Sequence, residues 1–476
     1  MISLRLAARA ALVVLIVAVA LPATLVAGRC EPGQSPYRGV YAFVNVNVVP
    51  MDQERVLERM TVIVRDGCIV EMGPAGQVSV PSGATRIDAS GKYLMPGLAE
   101  MHAHIMPPGA TQNLGGPAFN ERILFLFVAN GVTTVRGMLG HPSHFELRER
   151  VEAGEVLGPR IWTSSPSFNG NSMPNVQVAD SAVRAAKQAG YDFLKIHPGL
   201  TRAVFDTIDA VADRVGIGFA GHVPSAVGVP RALEAGYLSI DHLDGYIDAI
   251  VRDDAPAERQ SGFFGAGLVH DVDESKIAEI ARRTREAGVW NVPTQTLAAS
   301  YAAPQSGEER AEAHPEMRYL PDAMRTQWVN SKNQWNADPG APSPESLTRY
   351  MEIRRRLIKA LHDAGAGLLL GSDAPQVWNV PGFSVHRELE TIVAAGLTPY
   401  QALLTGTRNV ATFFDVEDEQ GTVAVGMRAD LVLLDANPLA EIRNTANPAG
   451  VMVYGHWLPR SEIERRLLSI AAAPTP

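Results

Sequence analysis

Between Lys92 and about Ala411, the sequence alternates apolar, strand-like runs with segments that have the pattern of amphipathic helices. Eight strand-like runs occur in this region. Several of the helical segments end in glycine, as at Gly190, Gly236 and Gly288, which is typical of a helix that leads into a strand. Eight such units predict an α/β fold with a (β/α)8 barrel. An open doubly wound sheet is the competing arrangement, but no glycine-rich phosphate-binding loop follows the first run.

The two ends of the mature chain have a different pattern. Short β-rich runs occur near Tyr41 and on both sides of the turn signal Asp66-Gly67, and two more occur near the C-terminus. These runs are well placed to pair with one another. We therefore predict a small β-sandwich domain built from residues 36–97 and 415–465, and a barrel domain over residues 98–414.

The composition argues against several classes of protein. With 476 residues and 46% hydrophobic composition, the chain can bury a large core, which disfavours intrinsic disorder. Its 42 Lys and Arg against 51 Asp and Glu give a formal charge of -9, and no basic block occurs. Nucleic acid is therefore a poor candidate partner. Two cysteines are too few for a disulfide scaffold or a cysteine-built zinc module.

Residues 1–28 have the pattern of a secretory signal peptide. Arg5 and Arg9 precede a short apolar run, and small residues follow it. An uncleaved N-terminal anchor is the alternative, but the run is shorter than the ~20 residues that a bilayer span needs. We expect the mature chain to have no membrane span and to be periplasmic or secreted. Because such a compartment is oxidising, we predict a disulfide between Cys30 and Cys68, although their spacing in the sequence does not establish the geometry of the pair.

Residues of metal-binding type stand at the carboxyl ends of five predicted strands. They are His102 and His104 on the first strand, Lys195 on the fourth, His222 on the fifth, His242 on the sixth and Asp373 on the eighth. Positions two apart in a strand point the same way, so the first two rings face one spot. In such a barrel the active site lies where the strands end, and these donors suit zinc or a similar divalent transition metal.

Each of these residues has an ordinary structural explanation when taken alone. A lone His-x-His sequence is common, and His222 or His242 alone is more often a hydrogen-bonded core histidine. A buried, unpaired ammonium is costly, so Lys195 alone would be interpreted as a snorkelling side chain or as half of a salt bridge. Ligand-type residues at five strand ends are poorly explained in this way. Together they favour a metal site.

The pattern resembles the amidohydrolase superfamily, in its secreted branch that is similar to imidazolonepropionases and prolidases. The runs that carry the resemblance are MPGLAEMHAHI, DFLKIH, GHV, SIDHLDG, GSDAP, ADLVLLDANPL and GVMVYGHWL. The resemblance covers nearly the whole mature chain. It implies two divalent metal ions, with Lys195 carboxylated by carbon dioxide as the bridge between them. The other ligands would be His102, His104 and Asp373 for one ion, and His222 and His242 for the other.

This resemblance implies hydrolysis of an amide or peptide-type C–N bond in a small substrate. Examples are a dipeptide with a C-terminal proline or basic residue and an N-acyl amino acid. Two metals would lower the pKa of a bridging water, and Asp373 would take its proton and deliver it to the leaving amine. A lactonase or phosphotriesterase on the same metals is the alternative enzyme class. A non-catalytic binding protein is the third hypothesis, and its mark would be a missing ligand.

Other polar residues near the strand ends are candidates for contact with substrate. Arg136 ends the second strand, His141 follows it, and His197 lies two residues past Lys195. Arg136 either neutralises a substrate carboxylate or pairs with an acid, and the sequence leaves both roles open. His386 is interpreted as a packing or capping residue. The oligomeric state, including a homo-oligomer, is left open as well.

Two connections are unusually long for a compact barrel. About thirty residues separate His242 from the next predicted helix, and about fifty follow Gln295 before the helix near Glu345. Loops of that length in a compact domain usually serve as lids or substrate walls. We therefore expect substrate specificity to depend on these two segments.

Overall fold

The computed structural model describes residues 30, 31, 33, 35–256 and 260–472. The predicted signal peptide lies outside these residues. Within the described ranges, no helix combines the length and the apolar composition that crossing a membrane requires.

The described residues form fifteen strands and sixteen α-helices. The strands are β1 (Val40–Val48), β2 (Leu57–Arg65), β3 (Cys68–Pro74), β4 (Thr85–Asp88), β5 (Tyr93–Pro96), β6 (Leu98–Ala103), β7 (Val132–Gly137), β8 (Arg160–Phe168), β9 (Phe193–Ile196), β10 (Phe219–Gly221), β11 (Ser239–Asp241), β12 (Trp290–Val292), β13 (Leu431–Leu434), β14 (Gly450–Val453) and β15 (His456–Pro459). The helices are α1 (Pro108–Thr111), α2 (Ala118–Ala129), α3 (Ser143–Glu152), α4 (Val176–Ala189), α5 (Arg202–Val215), α6 (Gly228–Glu234), α7 (Tyr246–Ala249), α8 (Ile277–Glu286), α9 (Gln295–Ala302), α10 (Gly307–Ala313), α11 (Asp322–Ala337), α12 (Pro344–Asp363), α13 (Phe383–Ala394), α14 (Pro399–Gly406), α15 (Arg408–Phe414) and α16 (Arg460–Ala472).

Strands β6 to β12 form a parallel sheet in which each strand pairs with the next one along the chain. Parallel neighbours need long crossover connections, and helices supply most of them here. Strands β6, β7, β9, β10 and β11 are buried at every position. This burial on both faces explains why these strands read as continuous apolar runs in the sequence.

Residues 367–374 close the barrel between β12 and β6. On one side their backbone hydrogen-bonds to Asn291 in β12, and on the other the amide of Met101 in β6 donates to Leu370 O at 2.8 Å. Beyond that point the segment is irregular, and it runs close to β6, since a Cβ at Gly371 would lie 2.9 Å from the backbone nitrogen of His102. The predicted fold class is confirmed, with the eighth apolar run in the expected place.

A second sheet joins strands from both ends of the chain. Its order is β15-β14-β13-β5-β1-β2-β3, and β4 pairs with β1 beside this path. Strand β13 is antiparallel to β5, so the late strands lie directly beside those that precede the barrel. Phe43 and Leu94 from the first part share an apolar cluster with Leu431 and Met452 from the last. The expected pairing of the two ends is thus present, within one eight-stranded sheet.

Cys30 and Cys68 form a disulfide, with their Cα atoms 5.7 Å apart. Cys68 begins β3, and the amide of Cys30 donates to Gly426 O at 2.9 Å. The bond therefore fastens the start of the described chain to the second sheet. This predicted pairing is confirmed.

The long segment after Gln295 is largely helical, so the expectation of a loop there is wrong. Helices α9, α10 and α11 occupy much of it. Helix α10 begins with a reciprocal cap between Ser306 and Glu309. Helix α11 buries Met324 and Lys332 along a narrow stripe that includes a charged residue. Such a stripe lacks the wide apolar face by which an amphipathic helix is recognised.

Candidate active site

The carboxyl ends of the barrel strands bring the predicted ligands together. His102 and His104 lie at and just after the end of β6, Lys195 in β9, His222 after β10, His242 after β11 and Asp373 in the closing segment. The residues His102, Lys195 and His242 are each at most 1% exposed. The residues that the sequence singled out separately therefore lie near one another at the barrel mouth, where His222 is partly exposed.

Asp373 lies at the centre of this group. Its Oδ1 is 2.6 Å from His104 Nε2 and 3.6 Å from His102 Nε2, and its Oδ2 is 3.9 Å from His242 Nδ1. One ligand atom each from His102, His242 and Asp373 lie within 4.8 Å of one another. Two imidazole nitrogens and a carboxylate oxygen at this spacing, shielded from bulk water, fit a divalent ion such as zinc.

The rings of His222 and His242 lie side by side, with centroids 4.6 Å apart. His222 Nδ1 is 3.0 Å from Asp244 Oδ2, and His242 Nδ1 is 2.9 Å from Thr294 Oγ1. A partner at one ring nitrogen fixes the tautomer and the ring orientation, which leaves the other nitrogen to bind a ligand.

Asp241 joins His102 to a buried arginine. His102 Nδ1 is 2.9 Å from Asp241 Oδ2. The fully buried Arg136 places Nη2 3.2 Å from the same carboxylate. It also donates to Met101 O at 2.7 Å and to Ser239 Oγ at 3.0 Å. Of the two roles that the sequence left open for Arg136, the structure shows pairing with an acid.

Lys195 is fully buried at the end of β9. Its Nζ is 3.4 Å from His102 Nε2, so its hydrogen-bond partner is an imidazole rather than a carboxylate. Burial lowers the pKa of Lys195 to about 8, against the opposing effect of Asp241 and Asp373. Gly221 in β10 leaves room for the side chain, since a Cβ there would lie 3.0 Å from Lys195 Cδ.

The backbone is left-handed at two of the predicted ligands and at Thr294, which contacts one of them. The φ angle is 64° at His242, 68° at Asp373 and 45° at Thr294. This conformation costs about 1–2 kcal/mol in residues other than glycine, and it persists only where the surrounding structure enforces it. Clustered strain of this kind is typical of a functional site.

A buried glutamate ties two ligand-bearing segments together. Glu100 Oε1 accepts hydrogen bonds from the amides of His102 at 3.0 Å and Ser372 at 2.8 Å. Burial raises the pKa of Glu100 to about 8, although the hydrogen bonds from these two residues oppose the rise. Glu100 therefore fixes β6 relative to the closing segment that carries Asp373.

The candidate substrate residues have different surroundings. The ring of His197 stacks on His222 with centroids 5.0 Å apart, and its Nδ1 is 2.7 Å from Ser167 Oγ. His141 is half-buried beyond β7, where its Nδ1 is 2.9 Å from Ser143 Oγ. Contact of either histidine with substrate stays a prediction.

A cleft opens above the ligands on the carboxyl side of the barrel. The described residues that line it are His102, His104, His197, His222, His242, Phe263, Phe264, Leu297, Tyr301, Asp373 and Gln376. Ligand-type side chains form one part of this surface, and apolar rings form another. A small molecule bound there would contact both.

Sequence reasoning missed four residues of the site. Asp241 and Asp244 flank His242 within the run SIDHLDG, so their proximity to a candidate ligand was a usable signal. Thr294 carries no comparable signal, because it approaches the site through left-handed backbone. Phe264 lies in the long connection after His242 that was expected to form a substrate wall, but nothing in the sequence singled out this ring.

Comparison with known proteins finds relatives of one type, the amidohydrolases and similar enzymes. Residues 93–458 match the amidohydrolase family. The chain is 26% identical over 425 residues to the adenine deaminase of Chelativorans sp. (strain BNC1), covering 87% of this chain and 56% of that relative. It is 22% identical over 434 residues to the imidazolonepropionase of Salmonella agona, covering 86% of this chain and 94% of that relative. A solved structure from Bifidobacterium longum, assigned as a prolidase, has a TM-score of 0.63 at 25% identity and covers 91% of this chain and 99% of its own.

The parallel barrel and the buried histidine and aspartate cluster at its mouth define a class of metal-dependent barrel enzymes. Within that class, the chain belongs to the amidohydrolase family. The predicted family and the prediction that the chain is an enzyme are both confirmed. The chain spans about half the length of the adenine deaminases that it matches.

Proposed function

We propose that this chain hydrolyses an amide or peptide-type C–N bond in a small substrate, of the dipeptide or N-acyl amino acid type. The observation that carries the proposal is the group of His102, His242 and Asp373 ligand atoms, all within 4.8 Å, beneath an open cleft. The similar structure assigned as a prolidase supports the same type of bond.

In this proposal the site holds two divalent ions, of which zinc is the ion best suited to the donors. Bound there, the ions would lower the pKa of a water molecule and polarise the substrate carbonyl. His102, His104 and Asp373 would hold one ion, and His222 and His242 would hold the other, with carboxylated Lys195 as a ligand for both. A buried amine with a lowered pKa favours carboxylation, because the neutral form is the one that reacts with carbon dioxide.

The chain's own residues would orient the ligands and move the proton. Asp244 and Thr294 hold the Nδ1 atoms of His222 and His242, which keeps both rings in a fixed orientation. Asp373 Oδ1 is the acceptor we propose for the proton of the attacking water, and the same oxygen would return it to the leaving amine nitrogen. The carboxylate is 7% exposed on the floor of the cleft, so it can contact both water and substrate.

We also propose that the enzyme acts in the periplasm or outside the cell. The signal-like residues 1–28 support this location, and so does the Cys30–Cys68 disulfide, since such bonds persist in oxidising compartments. N-terminal sequencing of protein recovered from the cell envelope or medium should begin after residue 28. A sequence that begins at Met1 would contradict the proposal.

The central experiment screens the purified mature protein, supplied with zinc and bicarbonate, against dipeptides and N-acyl amino acids. Lactones and phosphotriesters are tested beside them. We expect amide hydrolysis that a chelator abolishes. In Asp373→Asn, kcat should fall by a factor of about 10²–10⁴, because the amide keeps an oxygen ligand but cannot accept the proton.

The matched control is Asp363→Asn, which changes an exposed aspartate at the end of α12 that pairs with Lys359. It should keep the wild-type kcat. Wild-type turnover by Asp373→Asn or by the chelated protein would refute the mechanism. Hydrolysis of lactones or phosphotriesters without any amide hydrolysis would refute the substrate class.

A further inference from the structure

One wall of the cleft is aromatic. Phe263, Phe264 and Tyr301 line it beside Leu297, and all three rings are half-buried. The ring centroids of Phe263 and Tyr301 are 4.5 Å apart. Trp335 packs against both rings, with centroid distances of 5.6 Å to Phe263 and 5.1 Å to Tyr301. Partly exposed rings in a concave site form a surface suited to an apolar group of a ligand.

Phe264 connects this wall to the predicted metal ligands. Its ring is nearly parallel to that of His242, with centroids 4.9 Å apart and planes 10° apart, and it lies 5.9 Å from the His222 ring. Its backbone is left-handed, with φ 47°, which a phenylalanine rarely adopts. Gly265 follows with φ 89°, and a Cβ there would lie 2.5 Å from a side-chain atom of Ile247. The local backbone is therefore strained in the conformation that places this ring beside the site.

The wall offers no counter-charge to a charged group. None of the cleft-lining residues that the structure describes is an arginine or a lysine, and its one carboxylate is the predicted metal ligand Asp373. The buried Lys332 lies behind the wall and donates to the carbonyls of Tyr301 and Ala303. A charged substrate side chain against these rings would lose water without gaining an ionic partner. The cation–π attraction open to a basic side chain at an exposed site is smaller than the gain from burying a phenylalanine side chain.

We propose that this wall selects amides whose residue beside the scissile bond carries an aromatic or bulky apolar side chain without charge. The inference rests on the proposed amide hydrolysis and narrows its substrate class. Among dipeptides and N-acyl amino acids, those built on phenylalanine, tyrosine or leucine are the substrates, ahead of those with a basic or acidic side chain. The proposed apolar preference differs from the sequence-based example of a dipeptide with a C-terminal basic residue.

The test measures kcat/KM for two matched series of dipeptides, Ala-X and X-Ala, in which X is Phe, Leu, Ala, Lys or Glu. In at least one series we expect the Phe member to exceed the Ala member by about 10- to 100-fold, as burial of a side chain of that size implies. The Lys and Glu members should not exceed the Ala member. Equal values across both series, or a preference for Lys or Glu, would overturn the inference.

Variants then tie the preference to the wall. In Phe263→Ser the ratio of kcat/KM between the Phe and Ala substrates should fall at least fivefold, and in Phe263→Leu it should fall less, because leucine keeps an apolar surface. Phe145→Ala is the matched control, since this ring packs on Tyr191 in a contact outside the described lining of the cleft. Its ratio should equal that of the wild type. Circular dichroism checks that Phe263→Ser is folded. If the folded variant keeps the wild-type ratio of kcat/KM between the Phe and Ala substrates, the aromatic wall does not determine substrate preference.

A binding measurement separates this inference from the proposed function. Ligand-observed NMR compares benzyl alcohol with propan-1-ol on the wild type and on Phe263→Leu. We expect benzyl alcohol to bind the wild type more tightly than propan-1-ol, and the variant to bind it more weakly. Absence of benzyl alcohol binding refutes the aromatic wall as a ligand surface even if amides are hydrolysed. Binding without hydrolysis of any amide in the panel refutes the proposed function instead.

Discussion

Among single residues, Lys195 carries the largest share of the proposed mechanism. It is one of six lysines among 42 basic residues, and it is fully buried beside the His102 ring. An ammonium there would repel two bound dications at short range in a medium of low dielectric constant. A carbamate at the same position would attract both ions. The chemical state of this one side chain therefore decides whether the site can hold two metals.

We predict that Lys195→Ala folds but loses much of its bound metal and nearly all its activity, because the bridging anion is removed. Metal content after loading with zinc and bicarbonate is measured by elemental analysis, and short carboxylic acids added to the variant should restore part of it. Lys187→Ala is the control for loss of a lysine and should keep the wild-type metal content and turnover, because Lys187 is exposed in α4 and donates to Gly216 O, outside the described lining of the cleft. If Lys195→Ala still binds two equivalents of metal and has normal turnover, the prediction is wrong and Lys195 has only a structural role.

Some residues of the site could be placed from the sequence, and others could not. The meeting of His102, His242 and Asp373 follows from the sequence, because the carboxyl ends of parallel strands come together at one barrel mouth. The place of Thr294 does not follow. Its hydroxyl reaches His242 through backbone with φ 45°, and no local pattern in the sequence specifies that angle.

At the scale of elements, helix α12 is joined to two strand ends by one side chain. Arg354 is buried, and its Nη1 donates to His242 O at 2.7 Å. Its Nη2 donates to Pro293 O at 2.6 Å, and its Nε donates to Gln295 Oε1 at 2.7 Å. A helix on the outside of the barrel thus positions the backbone of a predicted metal ligand.

We predict that Arg354→Met lowers the free energy of unfolding by about 3 kcal/mol, because buried acceptors lose a charged donor. Zinc affinity should fall by about 10- to 100-fold, as is usual when the support of a metal ligand is removed. Arg355→Met, the next residue on the same helix, is the control and should resemble the wild type in both measurements. Urea titration and competition with a zinc indicator supply the numbers. Wild-type zinc affinity in a destabilised Arg354→Met would show that Arg354 supports only the fold.

Strands and helices could be predicted where apolar residues recur with a regular spacing along the sequence. Strand β9 and helix α4 follow from their apolar patterns, because each buries the face that its period requires. The segment over residues 367–374 was found as an apolar run, but no local pattern in the sequence specifies its irregular backbone after Leu370 or the close approach of Gly371 to β6. Helix α11 was missed, because its buried stripe is narrow and includes Lys332.

At the scale of the whole molecule, the disulfide ties the start of the described chain to a sheet that also contains its last strands. Cys30 and Cys68 are 38 residues apart, and cross-linking a loop of that length is worth up to about 4 kcal/mol in the chain-entropy account. We predict that Cys30→Ser lowers the free energy of unfolding by about 2–4 kcal/mol. Its kcat/KM should stay within about twofold of the wild type, since the bond lies outside the described lining of the cleft. Reduced wild type should match the variant in urea titration, and equal stability of oxidised wild type and variant would contradict the prediction.

Acid sensitivity of the whole fold should depend in part on His386. This histidine is buried in α13, with its Nδ1 3.0 Å from Thr445 Oγ1. Burial lowers the pKa of His386 to about 4, with a smaller lowering from Arg387, against a backbone hydrogen bond to Asn130 that raises it. The folded state therefore disfavours the protonated ring, while the unfolded chain binds the proton near its usual pKa of 6.5. The stability from this depressed pKa is fully present above about pH 6.5 and is lost as the pH falls toward 4.

We predict that wild-type protein loses up to about 3 kcal/mol more stability than His386→Gln between pH 7 and pH 4, because the variant has no ring to protonate. At pH 7 the variant should be the less stable of the two, since glutamine replaces a ring that packs between α13 and the segment that contains Thr445. The difference in free energy of unfolding should therefore shrink as the solution is acidified, and urea titrations at pH 7, 6, 5 and 4 measure it. Parallel loss of stability in both proteins would show that His386 is not protonated on unfolding in this range, and would assign the acid sensitivity to other groups.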